Sequence, residues 1–239
     1  MARNLLLTGG IGHPFADAAP ALATILDSAG IDSEITTDIE DGCARLPSGG
    51  FDLVTVYALR WRMLDNEKYA PHRAQWGFSL SSASRQALTD HVTKGGGLFA
   101  VHTAALCFDD WPEWRALAGG VWIWGQSFHP PRGDAAARVT DKPHPITSDV
   151  VPFDTVDEVY SNLSLAADVV PLMTARAGNG GPDAKDWPIL WARQVGRGRA
   201  VYDALGHDRV ALEQPTHQRI LRRAALWALG RADAEISAA

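Results

Sequence analysis

Residues 95–105, GGGLFAVHTAA, have the pattern of a buried strand that feeds a sharp turn. A nucleophile elbow would lie at such a turn, but it requires Ser or Cys at its tip. This sequence has His102 and Thr103 there, and Cys107 follows only several residues later. The stretch therefore does not predict a thiol hydrolase, and Cys107 is expected to be a buried, small apolar residue.

The residues before this stretch alternate strand and helix patterns. Strand patterns cover residues 4–8 (NLLLT), 31–39 and 51–57 (FDLVTVY), and a helix pattern between the first two ends at Gly30. A second helix pattern opens at Ser84. This β-α-β-α-β order predicts a parallel sheet with right-handed crossovers and helices on both faces.

The second half of the chain has weaker patterns. A capping-box pattern at Asp110 predicts a short helix, and a C-terminal helix ends near Gly230. Residues 60–81 have little periodicity, and a loop of that length is more often functional than a linker. We expect one α/β domain over residues 1–230 and a frayed, Ala-rich tail at 231–239. Further strand patterns cover residues 137–140, 169–174, 188–194 and 199–204.

The composition excludes several classes of protein. The chain has 239 residues, and 22 Lys+Arg against 28 Asp+Glu give a net charge of −6, which argues against a general nucleic-acid binder. Two cysteines exclude a disulfide scaffold and a multi-cysteine zinc module. No stretch approaches the roughly 18 apolar residues of a membrane span, and the first residues do not predict a signal peptide. We expect a cytoplasmic protein with neither a membrane nor a nucleic-acid partner.

Polar residues follow the predicted strands, where an open α/β sheet binds its ligands. His13 comes after the first strand and a glycine-rich turn, Arg60 after the third strand, His102 after the fourth and His207 after the last. The glycine-rich turn lacks the dinucleotide-binding and Walker spacings, so it predicts a tight turn rather than a phosphate loop. His129 lies in an irregular segment that could fold over the same rim.

Several motifs, in the same order, make the chain similar to the ThuA-like (trehalose-utilisation) family. They are GGGLFAVHTAALCFDDWPEWRALAGG (95–120), FHP (128–130), DKPHPIT (141–147), DEVY (157–160), PILWARQVGRGRAVYDALGHD (188–208) and LWALG (226–230). The family's characteristic polar positions match His102, His129, His144, Asp157, Glu158, Tyr160, Gly206 and His207. Residues 60–81 are not assumed to match typical members, which leaves the substrate preference open.

The resemblance implies a variant of the class I glutamine amidotransferase fold, a flavodoxin-like three-layer sandwich with a mainly parallel sheet. Its elbow cysteine is lost, in agreement with the residues at the turn, and this disfavours a glutamine amidotransferase. The resemblance also implies a role in bacterial sugar utilisation, particularly of trehalose and related disaccharides through 3-keto intermediates.

The residues and the resemblance together provide a set of candidate site residues. We expect His102, His129, Glu158 and His207 to be catalytic. Adjacent strand residues point to opposite faces, so Glu158, which shares a face with Tyr160, is preferred over its neighbour as the catalytic carboxylate. The residues expected to bind substrate are His13, Arg60, Trp124, Asp157, Tyr160 and Asp208. The residues expected on the surface, on helix faces or in a turn are His72, His91, His144 and His217.

A metal site is one further expectation. His102, His129 and His207, with one carboxylate, are candidate ligands of a divalent ion such as Zn²⁺ that keeps a position open for water or substrate. No local ligand motif such as HExxH is present, so this site depends entirely on the fold. Without a metal, the same groups can carry out general acid–base chemistry, and both alternatives stay open.

Tryptophan is over-represented, with nine Trp against four Tyr and seven Phe. Four are expected to pack in the core: Trp111, Trp114, Trp191 and Trp227. Five lie in irregular segments and are candidates for a sugar-stacking cleft: Trp61, Trp76, Trp122, Trp124 and Trp187. A homo-oligomer interface would favour tryptophan equally and is the alternative.

The candidate site residues, taken with the sugar chemistry that the resemblance implies, predict an enzyme that acts on a glycoside or 3-keto-glycoside. A ketone at C3 of a sugar acidifies the neighbouring C–H, so a His or Glu base could remove that proton while a metal or a protonated His holds the enolate oxygen. The reaction class, lyase, hydratase, isomerase or hydrolase, stays open. The alternative function is a non-catalytic sugar-binding or regulatory module on a degenerate amidotransferase fold.

Overall fold

The computed structural model describes residues 1–178 and 185–239. In these residues the strands are β1 (Ala2–Gly10), β2 (Ile31–Thr36), β3 (Leu53–Leu59), β4 (Gly97–Val101), β5 (Gly120–Val121), β6 (Gly133–Val139), β7 (Phe153–Asp157), β8 (Ser164–Leu165), β9 (Pro171–Ala177), β10 (Trp187–Val195) and β11 (Gly198–Asp203). The α-helices are α1 (Phe15–Asp27), α2 (Ile39–Arg45), α3 (Arg73–Trp76), α4 (Ser82–Thr93), α5 (Glu113–Ala118), α6 (Arg209–Leu212), α7 (Pro215–Ala228) and α8 (Asp233–Ala238).

One large sheet organises the described residues, with strand order β2-β1-β3-β4-β11-β10-β9-β6-β7. The first five strands of this order are parallel, in the 2-1-3-4-5 arrangement of flavodoxin-like folds. The other four continue the sheet with antiparallel pairing. The expected α/β class is confirmed, and its parallel part is the half formed by β1 to β4 and β11.

The antiparallel half begins at a short connection between β10 and β11. Val195 pairs with Gly198, so only two residues join β10 to β11, and a two-residue turn can return a strand only in the antiparallel sense. Gly196 has φ +59°, which such a turn favours. Parallel neighbours instead need a long crossover, which the helices of the first half provide.

The central strands are buried on both faces. Every residue of β3 and β4 is buried, as expected for a parallel sheet covered by helices. Helix α1 packs against α7, and α2 packs against α4. None of the helices in the described residues combines the length and the apolar character that a membrane crossing needs.

Two local predictions were wrong, the first because a side-chain cap starts a helix and the second because an expected cap does not form, although the short helix predicted there is present as α5. Residues 31–39 are not one strand, since the Asp38 carboxylate accepts a hydrogen bond from the Asp41 N–H (3.0 Å) and starts α2. The capping box at Asp110 does not form, since this carboxylate pairs with Arg85 at 2.7 Å instead.

The tail at residues 231–239 differs from the frayed segment that the Ala-rich composition predicted. It contains α8, whose Ile236 is fully buried. The Arg223 guanidinium on α7 donates to the Ser237 carbonyl and anchors the helix. A single well-placed apolar residue and a backbone contact thus order this segment, and average composition does not detect them.

Shortening Ile236 tests whether α8 packs in this way. Ile236→Ala should lower the free energy of unfolding by about 2–5 kcal/mol, because it leaves a cavity in a packed site. The neighbouring exposed Glu235→Ala is the control and should change it by less than about 0.5 kcal/mol. Urea unfolding measures both, and equal small effects would show that the tail is frayed in solution.

His217, expected on a helix face, is fully buried in α7. Its Nδ1 lies 2.7 Å from the Ala211 carbonyl oxygen and its Nε2 lies 3.1 Å from an oxygen of the buried Asp203 carboxylate. Burial alone would lower the pKa of His217, but Asp203 outweighs burial and raises this pKa. The pair joins α7 to the end of β11, just before the loop that carries His207.

Removing His217 should destabilise the protein in a pH-dependent way. His217→Ala leaves the Asp203 carboxylate buried without its partner, which costs about 3–5 kcal/mol. Because the pKa is raised in the folded state, the stabilisation is complete below the unfolded pKa of about 6.5 and is lost as the pH rises through the folded value. Urea unfolding between pH 6 and 9 measures this difference. The exposed His72→Ala is the control, and a pH-independent loss in His217→Ala would contradict the pairing.

Candidate functional site

Three histidines meet at the carboxyl edge of the parallel half of the sheet. His13 follows β1, His102 follows β4 and His207 follows β11. Gly10 lets the end of β1 lie close to β3 just before His13. A Cβ at this position (φ +132°) would lie 2.2 Å from the Leu59 carbonyl oxygen of β3. The position of polar residues after strands therefore located this edge correctly.

Glu158 brings a carboxylate to these histidines from the opposite half of the sheet. It follows directly after β7, and its Oε2 lies 3.4 Å from His207 Nδ1 and 3.7 Å from both His13 Nε2 and His102 Nε2. The His13 and His102 Nε2 atoms are 3.2 Å apart. These four residues, which we call the histidine cluster, place four donor atoms within 4.8 Å of one another.

The backbone around His102 fixes its ring nitrogens. Nδ1 lies 2.6 Å from the Ala204 carbonyl oxygen, which only an N–H can satisfy, so Nε2 keeps a free lone pair toward the cluster. The ring stacks on Tyr160 at a centroid distance of 4.4 Å, and the Tyr202 hydroxyl donates to the His102 carbonyl (2.8 Å). His102 has φ +48°, a left-handed conformation that its surroundings must hold in place.

Asp157 does not face a ligand as expected of a substrate-binding residue. It is buried, and its carboxylate accepts hydrogen bonds from the backbone N–H groups of Gly206 (2.6 Å), His207 (3.3 Å) and Glu158 (2.7 Å). Its role is to position the loop after β11 against the end of β7. The preference for Glu158 over Asp157 as the carboxylate at the cluster agrees with this geometry.

Charge within the cluster is balanced by opposing effects. Burial alone would raise the pKa of Glu158, but the three histidines outweigh it and hold this pKa well below its usual range. Burial lowers the pKa of His13 to about 4, so its imidazole is neutral at pH 7. Burial also acts to lower the pKa of His102, but Glu158 and Asp157 reverse the direction and raise it. Glu158 is therefore ionised, and its carboxylate faces the imidazole nitrogens of the three histidines.

The histidine cluster fits the requirements of a divalent metal ion. Ligands about 2.0–2.1 Å from a tetrahedral Zn²⁺ are about 3.3–3.4 Å apart. Four of the donor-atom separations are 3.2–3.7 Å, and the four residues place their donor atoms within 4.8 Å of one another. His207 Nδ1 and Glu158 Oε2 are buried 3.4 Å from each other and neither forms a hydrogen bond, which fits donor atoms that share an ion. Three imidazoles and one carboxylate are also a donor set that zinc accepts.

His129 lies at the rim of the cluster and is about one-third exposed. Its Nδ1 is 3.6 Å from Glu158 Oε1 and 2.9 Å from the Pro130 carbonyl oxygen. The geometric ligand group thus contains His13 where the sequence suggested His129. The sequence analysis placed His13 after the glycine-rich turn at the end of the first strand, but as a substrate-binding residue and not as a candidate ligand.

The remaining expected substrate-binding residues lie at different distances from the cluster. Tyr160 contacts it through His102, and Arg60 lines a cleft that also contacts His13. Trp124 is not in the cluster but lines a separate cleft and stacks on Trp61 (5.8 Å). Asp208 caps α6 and pairs with Arg132 at 2.7 Å, which places its carboxylate in a structural role.

Two tryptophans differ from the sequence expectation: Trp61, expected in a cleft, is buried, and Trp227, expected in the core, is half-buried. Trp111, Trp114 and Trp191 are buried as expected, but Trp61 is also only 1% exposed and belongs to the core rather than to a cleft wall. The half-buried tryptophans are Trp76, Trp122, Trp124, Trp187 and Trp227. Of these, Trp122 is nearest to the cluster, with its ring 5.4 Å from Tyr160 and 5.8 Å from His129.

Cys107 is buried, as expected, and its thiol donates to the Ala58 carbonyl (3.0 Å). Burial raises the pKa of Cys107 to about 12, and burial likewise raises the pKa of Cys43 to about 12. Neither side chain is therefore a thiolate nucleophile at neutral pH.

Thiol titration checks this conclusion. At pH 8 the folded protein should leave dithionitrobenzoate unreacted over the time in which the urea-unfolded chain releases two equivalents, because both thiols are buried and protonated. Rapid release of one equivalent from a chain with an unchanged circular dichroism spectrum would contradict it.

Comparisons with known proteins agree with the architecture. A family model described as "ThuA: Trehalose utilisation" matches residues 5–228. A ThuA-like protein from Parabacteroides merdae ATCC 43184 is 20% identical with a TM-score of 0.76, over 97% of this chain and 91% of that one. A second, from Bacteroides uniformis ATCC 8492, is 19% identical with a TM-score of 0.66, over 95% and 91%.

A third solved structure is described as a cytoplasmic protein from Salmonella typhimurium LT2. It is 13% identical with a TM-score of 0.60, over 94% of this chain and 99% of that one. No curated protein sequence matches the chain. At these identities the structural likenesses establish the fold alone.

Proposed function

Because the chain belongs to the ThuA family, whose description is trehalose utilisation, we propose that its histidine cluster is the active centre of a cytoplasmic enzyme that acts on a glycoside or 3-keto-glycoside. The observation that carries this proposal is the convergence of three histidines and one glutamate at the carboxyl edge of the parallel sheet. Two of their polar atoms, His207 Nδ1 and Glu158 Oε2, are buried and face each other at 3.4 Å without forming a hydrogen bond.

A divalent metal would be held by the histidine cluster: His13, His102, His207 and Glu158. When bound, it would supply a Lewis acid that polarises a sugar carbonyl or hydroxyl oxygen. Glu158 adds the negative charge that favours a cation at this position. His102 would be held in its ligand orientation by the Ala204 carbonyl, the usual outer-shell partner of a metal-binding histidine.

His129 is the best-placed residue for proton transfer. Its Nδ1–H donates to the Pro130 carbonyl, so its Nε2 is free to accept a proton from a substrate at the rim. A C–H beside a C3 ketone is acidic enough for such a base, and a cation held by the cluster would supply the positive charge that an enolate oxygen needs. His129 can then return the proton, as isomerisation, hydration and elimination each require.

The aromatic side chains beside the cluster suit a sugar. Trp122 contacts both Tyr160 and His129, and Trp124 lies 6.0 Å beyond it, so flat apolar faces continue outward from the cluster. The Nε1 of Trp122 is buried without a partner and is available to a hydroxyl group. Stacking against sugar C–H faces with such a donor is typical of carbohydrate sites.

Metal binding tests the ligand set directly. After incubation with zinc and dialysis, the protein should retain about one ion per chain, measured by mass spectrometry of the metal. Glu158→Gln and His207→Gln should each weaken zinc affinity by more than about 100-fold in a competition titration with a chelator, because each removes one ligand. His144→Gln, at a histidine in a turn outside the cluster, is the control. Unchanged affinity in both cluster variants would contradict the site.

A turnover assay distinguishes the two candidate functions, an enzyme and a non-catalytic sugar-binding or regulatory module. Zinc-loaded protein incubated with 3-keto-trehalose in D₂O should place deuterium at the carbon beside the ketone, and His129→Gln should slow this exchange by about 10²–10⁴-fold. NMR spectroscopy measures the exchange and any product. Sugar affinity without exchange or product in the wild-type protein would instead identify a binding or regulatory module.

A further inference from the structure

A second polar feature adjoins the histidine cluster. A cleft of about 510 Å³ lies between the end of β1, the start of α1 and the segment that carries Arg60 and Trp76, and His13 forms part of its wall. It opens where the strand order reverses between β1 and β3, the switch point at which flavodoxin-like sheets bind ligands. The cleft and the cluster are therefore continuous through His13.

Arg60 is a half-buried cation in this cleft without an acidic partner. Its guanidinium carbon lies 4.7 Å from the Phe78 ring centroid and 5.8 Å from that of Trp76, and its Nε is buried without a hydrogen bond. Within the described residues, no carboxylate lies within 4.0 Å of it. By contrast Arg3, which lies over Phe51 at the same 4.7 Å, pairs with Glu34.

Two further polar atoms along the cleft lack partners. Thr8 is only 3% exposed, and its hydroxyl is buried without a hydrogen bond. His13 Nδ1, on the side of the ring away from the cluster, is also buried and unpartnered. Three orphaned groups in one cleft are costly unless a ligand satisfies them.

The charges around the cleft favour an anion. In the described residues no Asp or Glu lines it, and the nearest acid that acts on Arg60, Asp38, is engaged as the cap of α2. The opposite wall of the cleft is apolar and includes Pro14 and Phe15, at the N-terminal end of α1. A ligand that fits has an oxyanion at one end and a C–H-rich body.

We propose that this cleft binds the oxyanion of an acidic sugar, a carboxylate or a phosphate, with Arg60 and Thr8 as its partners. The assignment rests on the proposed function, since the body of the same sugar would extend past His13 to the histidine cluster. A guanidinium held against aromatic rings presents its N–H fork to either oxyanion. The cleft thereby adds a preference for a sugar that carries a carboxylate or a phosphate to the glycoside or 3-keto-glycoside chemistry proposed for the cluster.

Calorimetric titration with matched sugars tests the proposal on the zinc-loaded full chain. Glucuronate and glucose 6-phosphate should each bind at least about 10-fold more tightly than glucose, and the stronger of the two identifies the oxyanion. Arg60→Met should reduce the affinity for the preferred acidic sugar by about 10- to 100-fold and leave that for glucose unchanged. Thr8→Val should reduce the affinity for the same acidic sugar by a smaller factor than Arg60→Met does.

Arg3→Met is the matched control, because it removes an arginine over a phenylalanine ring outside the cleft and should leave every affinity unchanged. Equal affinity for acidic and neutral sugars, the absence of binding by any of them, or an Arg60→Met variant that retains the preference would each overturn the proposal. Glu158→Gln separates it from the proposed function, since this variant should lose zinc and turnover yet keep the preference for the oxyanion.

Discussion

The buried Asp157 carboxylate joins the two halves of the sheet at the point where the site forms. It accepts the backbone N–H groups of Gly206 and His207, which follow β11, and that of Glu158, which follows β7. Burial raises the pKa of Asp157, and these donors together with the nearby His102 oppose that rise. This buried side chain thereby fixes the positions of the catalytic candidates His207 and Glu158 relative to each other.

The architecture explains why the donors come from so many places in the sequence. Parallel strands bring their carboxyl ends to one edge, so His13, His102 and His207 converge although almost two hundred residues separate the first from the last. The parallel half of the sheet supplies the three histidines of the cluster but not its carboxylate. The antiparallel extension ends at β7, and this edge strand delivers Glu158 to the same edge from the other side.

Particular residues show how far sequence reasoning reached. The strand-end rule located His102, His207 and Arg60, and side-chain alternation chose Glu158 over Asp157. The same reasoning missed the burial of Trp61 and His217, because an irregular or polar sequence context does not reveal what packs over a side chain. It also could not foresee that Asp208 and Asp38 serve as helix caps.

By itself the sequence determined the α/β class, the family and the histidines that follow the strands, because local periodicity and short motifs are written into neighbouring residues. Only the tertiary structure decided that His13 rather than His129 joins the ligand group, that Asp157 positions a loop, and that Arg60 stands in a cleft without an acid. Those outcomes depend on distances between residues far apart in the chain, and no local pattern encodes them.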